Sequence, residues 1–274
     1  MRKLGRYNVV GGAIGWLWLL IVLLPIYYVV VTSFKPQSTY FGSNPLALPL
    51  PPSGENFVQV VEAGFISYFT NSLIVTVGTV IPLLLIALMA SYAIVRGQTQ
   101  VFGLTRRLFL LGLAIPIQAT IVPVYLIIIR LRLYDSLTAL ILPAIAFGLP
   151  LTILILSNFL RDIPKELFES MSVDGCTEWQ MLWKLVAPMA RPALVTVGVY
   201  QALMQWNGFL FPLILTQSPD RRVLPLFLWN FQGEFATNIP AVLAAVVLSS
   251  LPIVLLYAIG RRQLVAGMTA GVGK

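Results

Sequence analysis

The chain has 274 residues, 58% of them hydrophobic and only 10% charged, with a formal net charge of +8. Soluble globular domains carry about 25% charged residues, so a water-soluble fold is excluded. The basic residues lie in short clusters between apolar runs, not on the folded basic face that a nucleic-acid binder needs. Cys176 is the one cysteine and there is no histidine, which excludes an internal disulfide and any His- or Cys-cluster metal site.

Arg2, Lys3 and Arg6 precede an apolar stretch, as in a signal peptide, but the uncharged run 7–34 is longer than an apolar signal core of about 7–15 residues and shows no small-residue cleavage site. It is expected to remain as a first membrane span. A helix crosses the hydrocarbon with about 20 apolar residues. Six windows free of Asp, Glu, Lys and Arg reach that length, at 7–34, 63–95, 108–129, 136–160, 192–219 and 235–260. They are longer than the ~10-residue alternating strands of a membrane barrel. The expected fold is an all-α membrane protein, one transmembrane domain over 1–274 with six helices near 12–33, 68–95, 108–129, 137–160, 192–215 and 238–260, a loop over 161–191 and a tail over 261–274.

Between the first two windows, Pro36, Pro45, Pro49, Pro51 and Pro52 favour irregular, extended structure, with a short helix expected near 57–62. Further prolines fall inside the windows, among them Pro116, Pro123 and Pro212, where each removes a backbone donor and can kink its helix. A cytoplasmic N-terminus puts Arg2, Lys3, Arg6, Arg96, Arg106, Arg107, Arg161, Lys165, Lys184, Arg191, Arg261, Arg262 and Lys274 on the inner side. Only Lys35, Arg130, Arg132, Arg221 and Arg222 are then outside. Both termini are therefore expected in the cytoplasm.

The loop 161–191 reads as two short helices joined by a turn. Pro164 suits a helix start, 165–172 are good helix formers, Gly175 supplies a left-handed stop, and Thr177 with Gln180 matches a capping box. Leu167, Phe168 and Met171 share one side of the first helix. That side packs either on the chain's own membrane helices or in the groove of a cytoplasmic partner.

The run Glu169-Ser170-Met171-Ser172-Val173-Asp174-Gly175, followed after nine residues by Leu185-Val186-Ala187-Pro188, resembles the EAA loop of binding-protein-dependent ABC importers. Glu169, Asp174, Gly175 and Pro188 match its usual form, and Ser170, Met171, Leu185 and Ala187 depart from it. Ile163-Pro164-Lys165-Glu166-Leu167, Trp206-Asn207-Gly208-Phe209 and the tail from Gln263 resemble the maltose-type, carbohydrate branch of these permeases. The resemblance implies a bacterial inner-membrane permease subunit in which the loop is a coupling helix. Glu166, Leu167, Phe168, Glu169, Met171, Asp174 and Gly175 then meet the ATPase, although Glu169 could equally pair with Lys165 one turn away. It also implies a second homologous permease, two copies of a nucleotide-binding ATPase that hold ATP and Mg, an extracytoplasmic binding protein and a sugar as solute.

No Gly-x-x-x-x-Gly-Lys-Ser/Thr sequence occurs, so the chain is expected to lack an ATP site, cofactor and catalytic residue of its own. The spans hold no ionisable acid for an ion-coupled carrier. That carrier, and an ABC importer for a non-sugar solute, are the alternative readings. For a neutral hydroxylated solute the spans offer Gln118, Tyr200, Gln201, Gln205 and Asn207. Gln201 and Gln205 share a helix face, where they either line a pathway or bond a neighbouring helix.

Overall fold

The computed structural model describes residues 9–97, 99–231 and 237–270. Arg2, Lys3, Arg6, Lys274 and the start of the sixth window at 235 lie outside these residues. Among the described residues, three helices are long and apolar enough to cross a membrane, or up to five if each of two bent pairs is one span. The chain sorts into two compact units, 1–66 with 228–251 and 67–227 with 252–274.

In the first unit, α1 (Val9–Ser33) is apolar on all sides, and only 6% of its most apolar window is buried. Past it the proline-rich segment is irregular as expected, and its order comes from side chains that satisfy backbone groups. The Asn56 amide donates to Ser33 O and Lys35 O, both at 2.8 Å. Lys35, only 3% exposed, donates its ammonium to Asn44 O at 2.8 Å and Pro45 O at 3.0 Å. The short helix α2 spans Glu55–Glu62. Gly64, with φ +95°, makes the turn into α3 (Phe65–Arg96), a conformation costly for any residue with a Cβ.

The second unit holds α3 from residue 67 onward, then α4 (Gln100–Gly112) and α5 (Ile117–Arg130). The expected third span, 108–129, is not one helix: α4 begins earlier, carries Arg106 and Arg107, and meets α5 at 96°. Pro116 accounts for the break, because it lacks an N–H and drives the preceding residue out of the helical region. α6 (Thr138–Arg161) runs through Pro143 and Pro150 and matches its expected window closely.

Next come α7 (Lys165–Val173) and α8 (Glu178–Met189), which meets α9 (Arg191–Trp206) at 73°. A π-helical turn occupies Leu182–Val186 within α8. The expected fifth span, 192–215, is also interrupted, since α9 ends at Trp206 and α10 covers Leu210–Leu215. Gly208 suits the break: its N–H bonds Gln205 O at 3.1 Å, and a Cβ there would sit 3.1 Å from that same oxygen. Pro212 falls in the first turn of α10, where N–H groups have no intrahelical partner anyway. The last helix, α11 (Ile239–Ala270), continues past the expected boundary at Gly260 through residues that favour helix.

Two apolar clusters lie toward opposite ends of α3. One joins Leu88, Tyr92, Leu156, Phe168, Met181 and Val186. The other joins Val75, Ile128, Leu140, Leu215 and Val223.

Candidate functional site

Local chemistry builds the α7–α8 hairpin. Pro164 stands immediately before the first residue of α7 at φ −57°, a value typical of proline. At the far end Gly175 takes φ +74°, its N–H bonds Ser172 O at 3.1 Å, and the Cys176 N–H bonds Met171 O at 2.9 Å. These are the two bonds of a Schellman stop. Thr177 then opens α8 with both halves of a capping box: Gln180 N donates to Thr177 Oγ1 at 3.3 Å, and Thr177 N donates to Gln180 Oε1 at 2.9 Å.

The hairpin turns its apolar residues both ways. Phe168 is 5% exposed and Met171 half-buried, packed in the cluster formed with the ends of α3 and α6. Glu166, Glu169, Asp174 and Gly175 are exposed, as are Leu167 at 38%, Val173 at 88% and Trp179 at 60%. The first docking alternative is thus seen for two residues: Phe168 and Met171 serve the chain's own core, while the remaining residues of the set are exposed. Among the described residues the ion pairs are Arg96–Glu178 and Arg221–Asp220, so Lys165 and Glu169 do not pair.

Sequence reasoning missed what fastens the hairpin. The Tyr92 hydroxyl donates to Glu178 Oε2, Arg96 Nη2 lies 3.7 Å from Glu178 Oε1, and the Arg96 guanidinium stands 4.7 Å from the centre of the Phe168 ring. Arg96 was legible only as a basic residue ending a span, and nothing near Glu178 marks its partners.

A cleft of about 370 Å³ lies beside α6, α9 and α10, lined by Thr79, Phe147, Tyr200, Gln201, Gln205 and Phe211, among others, with no charged side chain in the lining. The Phe147 and Phe211 rings stack at 5.6 Å and 27°. Gln201 Nε2 donates to Thr152 Oγ1 at 3.1 Å and to Gly148 O at 3.3 Å, so it bonds a neighbouring helix while bordering the cleft. Thr79 Oγ1 is buried and has no hydrogen-bond partner among the described residues. Of the five expected pathway residues, the structure brings together Tyr200, Gln201 and Gln205. Gln118 is exposed and outside the lining. Asn207 donates to Leu203 O of its own helix at 2.8 Å and sits at the α9–α10 break.

At the opposite end of α3 from the hairpin, Asn71 Nδ2 donates to Asp220 O at 2.8 Å and Arg222 O at 2.9 Å, and Leu224 N donates to Ser72 Oγ at 2.8 Å. The same loop is tied to the α5–α6 connection. The Asp135 carboxylate accepts from the Ser218 hydroxyl, from Gln217 N at 2.8 Å and from Ser218 N at 3.0 Å. Those donors, the Ser218 hydroxyl foremost, hold the Asp135 carboxyl below the usual carboxylate range.

Residues 71–269 match the family described as binding-protein-dependent transport system inner membrane component. The chain is 40% identical over 257 residues to the ORF2 protein of Caldicellulosiruptor sp. (strain Rt8B.4), covering 94% of each chain. It is 34% identical over 258 residues to the diacetylchitobiose uptake system permease protein DasC of Streptomyces coelicolor, covering 92% of each. Its fold is similar to a crystal structure of a bacterial ABC transporter involved in the import of the acidic polysaccharide alginate, with a TM-score of 0.84 at 20% identity over 93% of this chain and 95% of that one. The chain belongs to the binding-protein-dependent inner membrane components, a multi-pass permease subunit of an ABC importer from a family that lacks an ATPase domain of its own.

Proposed function

We propose that this permease passes a neutral carbohydrate, handed over by an extracytoplasmic binding protein, through a pathway that includes the cleft at Tyr200, Gln201 and Gln205. One observation carries the reading: the cleft is free of charge, yet it offers amides and a hydroxyl beside a stacked ring pair. Those are groups that suit a hydroxylated, uncharged solute. Similarity to a diacetylchitobiose uptake permease along 92% of both chains supports it.

In this reading the membrane is crossed six times, by α1, α3, the bent pair α4–α5, α6, α9 with α10, and α11, with both termini cytoplasmic. The α7–α8 hairpin is the EAA-type coupling element. Its free face, with Glu166, Leu167, Glu169, Asp174 and Gly175, seats a nucleotide-binding ATPase, while Phe168 and Met171 anchor it from within. The complete importer contains a second homologous permease and two ATPase copies, which bind ATP and Mg.

Purification of the chain from its native membrane in mild detergent, with identification of every stoichiometric partner, tests this. An ATPase and a second permease are expected, with ATP hydrolysis stimulated by a binding protein carrying a neutral oligosaccharide. Stimulation only by a binding protein loaded with an amino acid, peptide or metal ion would overturn the carbohydrate assignment.

A further inference from the structure

Two side chains one turn apart on α3, Tyr92 and Arg96, each touch both helices of the hairpin. Tyr92 is buried, donates to Glu178 at the start of α8, and holds its ring 6.4 Å from that of Phe168 on α7. Arg96 pairs with the same carboxylate at 3.7 Å and covers the Phe168 ring at 4.7 Å. Its Nε is buried without a hydrogen-bond partner among the described residues, so Glu178 and the ring set where the guanidinium sits. The Tyr92–Glu178 bond is charge-assisted, the stronger class of hydrogen bond, and its donor is buried while the Glu178 side chain is 65% exposed.

The rest of α3 gives this clasp its meaning. α3 has 32 residues, a rise of about 48 Å at 1.5 Å per residue. Its other end, at Asn71 and Ser72, is hydrogen-bonded to the backbone of Asp220, Arg222 and Leu224. One helix is thus fastened to the hairpin at one end and to the 220–224 loop at the other.

We propose that Tyr92 and Arg96 are positioning residues for energy coupling: they lock the hairpin onto α3 so that a shift imposed on the hairpin is delivered along α3 to the 220–224 loop. The proposal rests on the reading of the hairpin as the seat of the ATPase.

The test uses the complete importer in vesicles, with Tyr92→Phe, Glu178→Gln and the two combined. Tyr92→Phe removes the hydroxyl donor, and Glu178→Gln removes the charge that Arg96 pairs with and weakens the bond Tyr92 makes; both change shape little, so assembly is retained. Should the Glu178→Gln complex not be recovered, Tyr92→Phe, which lacks only one oxygen, carries the test. Two quantities are read: solute delivered per ATP hydrolysed, and the alkylation rate of Cys176, which packs against the same core from the turn of the hairpin. A merely structural role would lower the yield of complex without altering the ratio per ATP.

The expected result is a fall in the ratio of roughly tenfold in each single variant, the scale of one lost charge-assisted hydrogen bond, with several-fold faster alkylation of Cys176. The double variant is expected to be no worse than the poorer single, because both changes cut one link. A control, Leu167→Glu on the free face, separates the proposal from the reading beneath it. A wild-type ratio in all three clasp variants, with a lowered ratio in Leu167→Glu, overturns the clasp and leaves the hairpin as the ATPase seat. A wild-type ratio in Leu167→Glu as well removes both.

Discussion

Gln201 on α9 donates to the Thr152 hydroxyl on α6 at 3.1 Å, and it does so beside a glycine that lets the two helices approach. A Cβ at Gly148 would lie 2.6 Å from Leu83 Cδ2 and 3.3 Å from Gln201 Oε1. Leu83 is itself fully buried. Gly148→Ala is therefore expected to destabilise the protein by about 1–3 kcal/mol through overpacking, seen as a lowered thermal midpoint in detergent. Uptake is expected to fall with it, because Gln201 is pushed from its place at the cleft.

Asn71 is buried and satisfies two carbonyls of the 220–222 loop. Asn71→Leu is expected to cost about 1–2 kcal/mol, since it removes two hydrogen bonds to part-buried acceptors. Protease cleavage within the 218–224 segment should become faster than in the parent. Unchanged cleavage would mean that the loop is held by other contacts.

The Asp135 carboxyl is held below its ordinary range by the Ser218 hydroxyl and the Gln217 and Ser218 N–H groups. A depressed folded pKa means that ionised Asp135 stabilises the fold fully above its unfolded value, about 3.9. That contribution is lost as pH falls through the lower folded value. Thermal midpoints measured from pH 7 downward should show Asp135→Asn less stable than the parent at pH 7. The gap should close below about pH 4. A gap that widens on acidification would contradict the hydrogen-bonding account.

How far the sequence was legible follows the range of the interactions. The hairpin could be read closely, because Gly175, Thr177 and Gln180 act on backbone groups within five residues. The long apolar windows also read well, since composition alone sets them. The breaks at 113–116 and 207–209 did not, for a charge-free run looks the same whether or not its helix is continuous. Pro116 marked the first break, but Pro143 and Pro150 look alike in sequence and lie within an unbroken α6. The Tyr92–Glu178 bond joins residues 86 apart, and no local pattern announces it. Of the five expected pathway residues, the three on α9 that reach the cleft share one helix, whereas Gln118 stands by the bend between α4 and α5, which the apolar pattern did not reveal.

Gly175 holds φ +74° with open space around its absent Cβ, so any substitution there is penalised by backbone conformation and not by crowding. Gly175→Ala is expected to cost about 1 kcal/mol and Gly175→Val more, because a β-branched residue tolerates positive φ least. In reconstituted importer, solute delivered per ATP should fall in the order parent, Ala, Val. Equal ratios in all three would show that the turn geometry does not matter for coupling.

Before its buried last turn at Val31, Thr32 and Ser33, α1 is open to its surroundings, with Trp16, Trp18, Leu20 and Leu24 all largely exposed. Exchanging one apolar side chain for another along that exposed stretch leaves no cavity and creates no clash, so the stretch answers to a requirement for greasiness. The family match begins at residue 71, beyond this helix, where side chains must fit one another and substitutions carry a penalty of shape.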